Sequence, residues 1–249
     1  EVLVFDSLGT PSLAYLLLSK IKKITDKPIR KLILSHYHAD HIYGAQVFQD
    51  IGAQIIAPLG AKTYINSPAA EGRLIERRES LFPWVNETTH IVKPDRYISK
   101  DEDINLGGVT LKIVSLGSTH SDGDLMIYVY PDNVLLAGDL MFEGRIPFIA
   151  GSNPGRWLQF VTALDSAKFS IIIPGHGTVS SDPKSAVSFT KGYLNYLHTS
   201  MMKAVENLTA FDDAYDEVVW DKYEKYPAFQ VNRMNAYFVF LELEAASVQ

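Results

Sequence analysis

The 249-residue chain contains no cysteine, which excludes disulfide frameworks, thiolate nucleophiles and cysteine-ligated metal sites. A basic excess is also absent. Lys and Arg number 23 against 29 Asp and Glu, a net charge of -6, the wrong sign for a protein that gains affinity by neutralising phosphates. No nucleic-acid partner is expected. No stretch approaches the ~20 apolar residues of a membrane span, and residues 1–10 lack the basic start and apolar run of a signal peptide. Because the chain opens on Glu1 rather than Met, further residues are expected upstream. What remains is 47% hydrophobic and 21% charged, which argues against disordered and fibrous classes and for a globular chain able to bury a large core.

The pattern along the chain alternates. Residues 2–5 are a short apolar run stopped by Asp6, Ser7 and Gly9, and 13–24 read as a helix opened by Thr10 and Pro11. Residues 32–34 form the next buried strand, 42–48 a short helix, and 55–57 a strand halted by Pro58. Two more helices are expected at 61–65 and 71–80, the second carrying Arg73, Glu76, Arg77 and Glu79 on a solvated face. From 91 to 137 strand follows strand, at 111–116, 126–130 and 134–137. A helix over 157–169, a strand at 171–173 and mostly helix from Pro183 to Ala246 complete the reading. No linker or repeat divides the chain, so residues 1–249 are expected to form one layered α/β domain.

The most informative segment is Ser35-His36-Tyr37-His38-Ala39-Asp40-His41, directly after the 32–34 strand. Alternate residues of an extended chain share a face, so His36 and His38 project together, and the turn that follows can bring Asp40 and His41 to a neighbouring point. One loop can therefore serve two metal positions. His120, Asp139 and His176 each follow another expected strand, with Gly117, Gly138, Gly175 and Gly177 supplying tight backbone beside them. Seven nitrogen and oxygen donors without sulfur suit zinc, with iron or manganese as competitors. A carboxylate can bridge two ions ~3.5–4 Å apart, and Asp139 is the candidate bridge. His90 and His198 fall outside these segments and read as ordinary surface or core-edge histidines.

The series His36-x-His38-x-Asp40-His41, then His120, Asp139 and His176, resembles the metallo-β-lactamase-fold hydrolase superfamily over nearly the whole chain. The resemblance implies a four-layer αβ/βα sandwich with additional C-terminal helices, and two zinc ions. It assigns His36, His38 and His120 to one ion, Asp40, His41 and His176 to the second, and Asp139 to the bridge. Asp6 resembles the aspartate of the superfamily's first motif, which supports the site from behind the ligands. The segments 118–124, 138–148 and 232–236 look like the sulfur-oxidation-associated and quinoprotein-relay zinc metallohydrolases, whose export favours the periplasm, with the cytoplasm as the alternative.

The chemistry so implied is hydrolysis of a small-molecule substrate by metal-activated water, with Asp40 orienting the water and accepting its proton. A thioester or related acyl bond ranks first, a β-lactam or lactone second and a phosphodiester third. Arg145, Arg156 and Trp157 are candidates to contact an anionic substrate. A metal-binding relay or accessory protein on the same scaffold, with little turnover, is the alternative from a different class. Tyr193, Tyr196 and Tyr237 would supply its partner surface if they were exposed.

Overall fold

The computed structural model describes residues 1–247 and contains two sheets with helices packed on them. Contacts group the chain into two compact units, residues 1–117 with 123–127, and residues 118–122 with 128 onward.

The first unit begins with a run of β-α-β connections. Strand β1 (Val2–Phe5) leads to α1 (Pro11–Ile24), β2 (Ile29–Ile33), the short helices α2 (Ala39–Ile42) and α3 (Ala45–Asp50), and β3 (Gln54–Pro58). Helices α4 (Ala61–Ile65) and α5 (Pro68–Ser80) then precede β4 (Arg96–Ile98). The four strands stand in the order β1-β2-β3-β4, and all neighbours are parallel. Leu32, Ile33, Ile55, Ile56 and Ala57 are almost wholly buried, the signature of central parallel strands covered on both faces. Each of these leucine and isoleucine side chains contributes roughly 2 kcal/mol by burial.

Two sequence cues act as expected here. The Thr10 hydroxyl accepts the Leu13 amide at 3.2 Å and Pro11 opens the helix, so α1 starts with its first donors satisfied. Ser67 and Pro68 start α5 in the same way, which places its beginning three residues before the expected 71. Instead of one helix at 42–48 there are two, separated at Tyr43 and Gly44.

Gly44 explains that break. A side chain there would meet the Ser7 carbonyl oxygen and carbon, the latter at 3.0 Å, and Ala14 Cβ at 2.6 Å. Only glycine lets the β1–α1 loop lie this close to the start of α3, and the Gly44 amide donates to the Leu8 carbonyl at 3.1 Å across the gap. Gly44→Ala is expected to destabilise the fold by about 3 kcal/mol, the upper range for overpacking against backbone, as measured by urea unfolding. Wild-type stability in that variant would show that the loop can retreat at little cost.

The second sheet has the order β5-β6-β7-β8-β9, formed by Glu102–Leu106, Val109–Gly117, Asp124–Tyr130, Val134–Phe142 and Ile171–His176. In the first unit β5 pairs antiparallel with β6, and in the second β8 pairs parallel with β9. Strand β8 runs five residues past the expected end at 137, so Asp139 lies inside a strand rather than beyond it. The ladder is nonetheless interrupted there, with register shifts on both sides of Gly138, whose φ of 53 is left-handed. His176 likewise closes β9 instead of following it.

Helix α6 (Pro154–Ala163) starts before the expected 157, where Asn153 and Pro154 open it, and ends well before the expected 169, where a 3-10 turn at Leu164–Ser166 takes over. The remainder is helical as expected: α7 (Pro183–Glu206), α8 (Phe211–Glu217), α9 (Asp221–Glu224) and α10 (Asn232–Ser247). Among the described residues no helix is long and apolar enough to cross a membrane.

Candidate metal centre

In the first unit the donors are built at the carboxyl ends of adjacent parallel strands. Phe5 is in register with Ile33, so the chain leaves β1 at Asp6 beside the point where it leaves β2 toward Ser35. Open parallel sheets bind ligands at this end. Asp6 has a φ of 66, a left-handed conformation that Asp tolerates better than most residues, and its carboxylate turns inward. Asp6 Oδ1 accepts the Ser35 amide at 2.6 Å, and Oδ2 accepts the Ser35 hydroxyl at 2.8 Å and His41 Nδ1 at 2.9 Å.

That arrangement fixes two ring tautomers. Since the single Ser35 hydroxyl proton goes to Asp6, its oxygen is left to accept from His36 Nδ1 at 2.9 Å. His36 and His41 therefore both carry hydrogen on Nδ1 and present the Nε2 lone pair, the form in which imidazole ligates a metal. The ring of His36 lies 4.5 Å from that of His38 and 4.2 Å from that of His41. His38 ends the extended stretch, and α2 begins with the next residue, carrying Asp40 in its first turn. Asp40 Oδ2 comes within 3.6 Å of His41 Nε2 while the Asp40 side chain stays half exposed. Tyr37, stacked on Tyr64 at 4.4 Å, holds the segment from the side.

The four donors His36, His38, Asp40 and His41 are thus brought together by one turn and one buried carboxylate. Ser35 was not assigned a role by its sequence alone, although its place between a buried strand and His36 was visible. Asp6→Ala is expected to weaken metal binding by ~10–100-fold, the usual cost of losing a group that orients ligands, in competition with a chromophoric chelator. Unaltered affinity would dismiss the orienting role.

In the second unit the donors surround Asp139. Its Oδ2 lies 3.4 Å from His120 Nε2 and 3.4 Å from His176 Nε2, and its side chain is 4% exposed. Gly175 makes this possible, because a Cβ there would strike Asp139 Oδ1 and come within 2.7 Å of the Gly138 carbonyl carbon. Trp157 is fully buried: its indole N–H donates to the Leu140 carbonyl at 3.0 Å and its ring meets the edge of His120 at 5.0 Å. The Thr190 hydroxyl pins the end of β8 by accepting the Phe142 amide and donating to the Phe142 carbonyl, each at 3.0 Å.

Arg145 is exposed with Nη1 3.2 Å from His176 Nδ1; a guanidinium only donates, so this contact is a hydrogen bond in the Nε2–H tautomer and is given up when His176 ligates through Nε2 with its hydrogen on Nδ1. Arg156 lies exposed in the first turn of α6. The Glu143 amide donates to the His176 carbonyl at 2.9 Å. Burial, and then the Asp182 carboxylate, raise the Glu143 carboxyl above the usual range. Tyr193 is buried, Tyr196 half-buried and Tyr237 exposed. His90 lies exposed on the first unit and His198 is half-buried on α7.

Both donor sets consist of imidazole and carboxylate, side chains that could hold a metal ion. A sequence profile of the Metallo-beta-lactamase superfamily matches residues 1–176. The chain belongs to this superfamily. Among its relatives, the linear primary-alkylsulfatase of Pseudomonas sp. (strain ATCC 19151) is 19% identical over 236 residues, covering 81% of this chain. The chain spans only 44% of that protein's length. Among solved structures, the inverting sec-alkylsulfatase Pisa1 of Pseudomonas sp. superposes with a TM-score of 0.73 at 17% identity, covering 96% of this chain and 45% of that one. A metallo-beta-lactamase from Pontibacter korlensis gives a TM-score of 0.62 at 19% identity over 78% of this chain and 81% of its own. These likenesses establish the fold, with two sheets and helices on the carboxyl-terminal side. Members of the superfamily are generally hydrolases that use metal ions.

Proposed function

We propose that the two donor sets belong to one binuclear metal centre within a single domain, and that the protein is a zinc-dependent hydrolase of acyl bonds, thioesters and related esters first. One observation carries the reading: a buried Asp139 oxygen stands 3.4 Å from the Nε2 atoms of both His120 and His176, as suits a carboxylate shared between two ions. His36, His38 and His120 would hold one ion, Asp40, His41 and His176 the other, and Asp139 would bridge them. Bound there, the pair would make water acidic enough to act as a nucleophile near neutral pH and would stabilise charge developing on the substrate oxygen.

The rest falls to the protein's own groups. Half exposed beside buried His41, Asp40 orients the attacking water and accepts its proton. Asp6 holds His36 and His41 in the ligating tautomer. We assign Trp157 to seating the His120 ring, since its indole is buried and its N–H is committed. Exposed at His176, Arg145 takes the anionic end of the substrate. Segments 118–124, 138–148 and 232–236 support placement in the sulfur-oxidation-associated or quinoprotein-relay branch.

Sulfate-ester hydrolysis is the second reading, favoured by one finding. The likeness to the sec-alkylsulfatase covers 96% of the chain, including the carboxyl-terminal helices, against 78% for the lactamase. A panel of thioesters, carboxylic esters, lactams, lactones, alkyl sulfates and phosphodiesters, presented to zinc-loaded protein, separates these readings. Turnover of thioesters or esters supports the first and turnover of alkyl sulfates alone the second. Silence across the panel with two ions bound would favour a relay or accessory protein.

A further inference from the structure

Between β8 and α6 the chain makes a loop, residues 143–153, fastened at both ends to the backbone around the second unit's histidines. At its start the Glu143 amide donates to the His176 carbonyl at 2.9 Å, and at its end the Asn153 amide donates to the carbonyl of Thr119, beside His120, at 2.8 Å. Its middle is held from α10 by Asn235, a fully buried side chain 86 residues away in sequence from Ile149. Asn235 Oδ1 accepts the Ile149 amide at 3.0 Å, and Nδ2 donates to the Pro147 carbonyl at 2.7 Å and to the Tyr193 hydroxyl at 2.9 Å. One amide group thereby satisfies two backbone groups of an irregular segment, as a neighbouring strand would. The Ile146 amide adds a bond to the Pro227 carbonyl at 3.0 Å.

The consequence is an orientation. With Ile146 and Ile149 buried, Arg145 and Phe148 are the exposed residues of 145–149, and Arg145 stands at His176. A buried amide with three committed bonds is costly to leave half satisfied, so the loop has one low-energy path past Asn235. We infer that Asn235 is a positioning residue: it fixes this path, holds the Arg145 guanidinium at the metal centre, and thereby sets a preference for esters that carry a negative charge. The inference rests on the proposed reading of Arg145.

The test compares an anionic ester, mono(4-nitrophenyl) succinate, with a neutral one, 4-nitrophenyl butyrate, on the zinc-loaded protein, and follows hydrogen exchange of the Ile146 and Ile149 amides. In Asn235→Ala, exchange at these amides is expected to rise at least tenfold. KM for the anionic ester should rise about tenfold with kcat within about threefold, while kcat/KM for the neutral ester stays within about twofold. Arg145→Ala should lose the same preference, and the double variant should lose no more than either alone, since the two act through one contact. Asn235→Ser keeps a single hydrogen-bonding group and should fall between if the alanine variant fails to fold. Tyr193→Phe leaves both loop bonds and should keep the preference despite any loss of stability.

An Asn235 variant that retains the wild-type preference while Arg145→Ala loses it overturns the inference and leaves the proposed function standing. Unchanged exchange at Ile149 overturns it too. Wild-type protein that treats both esters alike removes the Arg145 reading and the inference with it. Wild-type protein that cleaves neither ester overturns the inferred ester preference, while thioester turnover decides separately whether the proposed function stands and the exchange measurement whether Asn235 clamps the loop.

Discussion

Asp40→Ala protein is expected to show kcat lowered by about a hundred- to ten-thousandfold, the range over which a positioned proton acceptor contributes. Of the carboxylates near the donor histidines, Asp139 is 4% exposed at its side chain and Asp6 12%, whereas Asp40 is 53% exposed and can meet both water and a ligand position. Its Oδ2 lies 3.6 Å from His41 Nε2, close enough to share the environment of an ion held by that ring. An Asp40→Asn protein separates the two duties, because the amide keeps the shape and one oxygen ligand but accepts a proton poorly. It should retain much of its metal, measured by elemental analysis, and still lose most of its turnover. Wild-type kcat in either variant would remove Asp40 from the chemistry.

Gly175→Ala should be nearly as damaging, by a different route. The added methyl group would strike Asp139 Oδ1 and come within 2.8 Å of the Asp139 amide, so either the carboxylate rotates or β8 moves away from β9. Displacing a shared ligand by an ångström is enough to cost about a hundredfold in rate. The variant should fold, as far-ultraviolet circular dichroism would show, yet bind fewer than two metal equivalents and lose at least that hundredfold in kcat/KM. A folded variant with wild-type metal content and rate would mean that Asp139 is not the shared carboxylate.

Much of the candidate site was legible because histidine and aspartate in close spacing leave dense local signals. His36, His38, Asp40 and His41 lie within six residues, and the alternation that puts two histidines on one face needs only an extended chain followed by a turn. The buried strands around Leu32 and Ile55 were equally plain, since apolar runs of that length fit a covered parallel sheet. Less legible were features that depend on distant partners. Strand β8 continues past Ala137 through Asp139 to Phe142, where Trp157 and Thr190 hold it, and neither partner is near in sequence.

The segment around Asn235 illustrates the same limit. Its pattern stood out as a resemblance, but its role emerges only when an amide on α10 meets a loop more than eighty residues earlier. Trp157 shows the converse. Its position near two arginines suggested substrate contact, while its burial and its bond to Leu140 direct it to His120. Ser35 gains meaning only through Asp6, which approaches it because β1 and β2 end side by side.

Titrating metal-free protein with zinc while following cleavage of a thioester tests whether the protein is a binuclear metal-dependent hydrolase of acyl bonds. Activity is expected to climb until two equivalents per chain are bound and to be removed again by a chelator. Turnover that persists without metal, or two tightly bound equivalents with no cleavage of any thioester or ester, would contradict this reading.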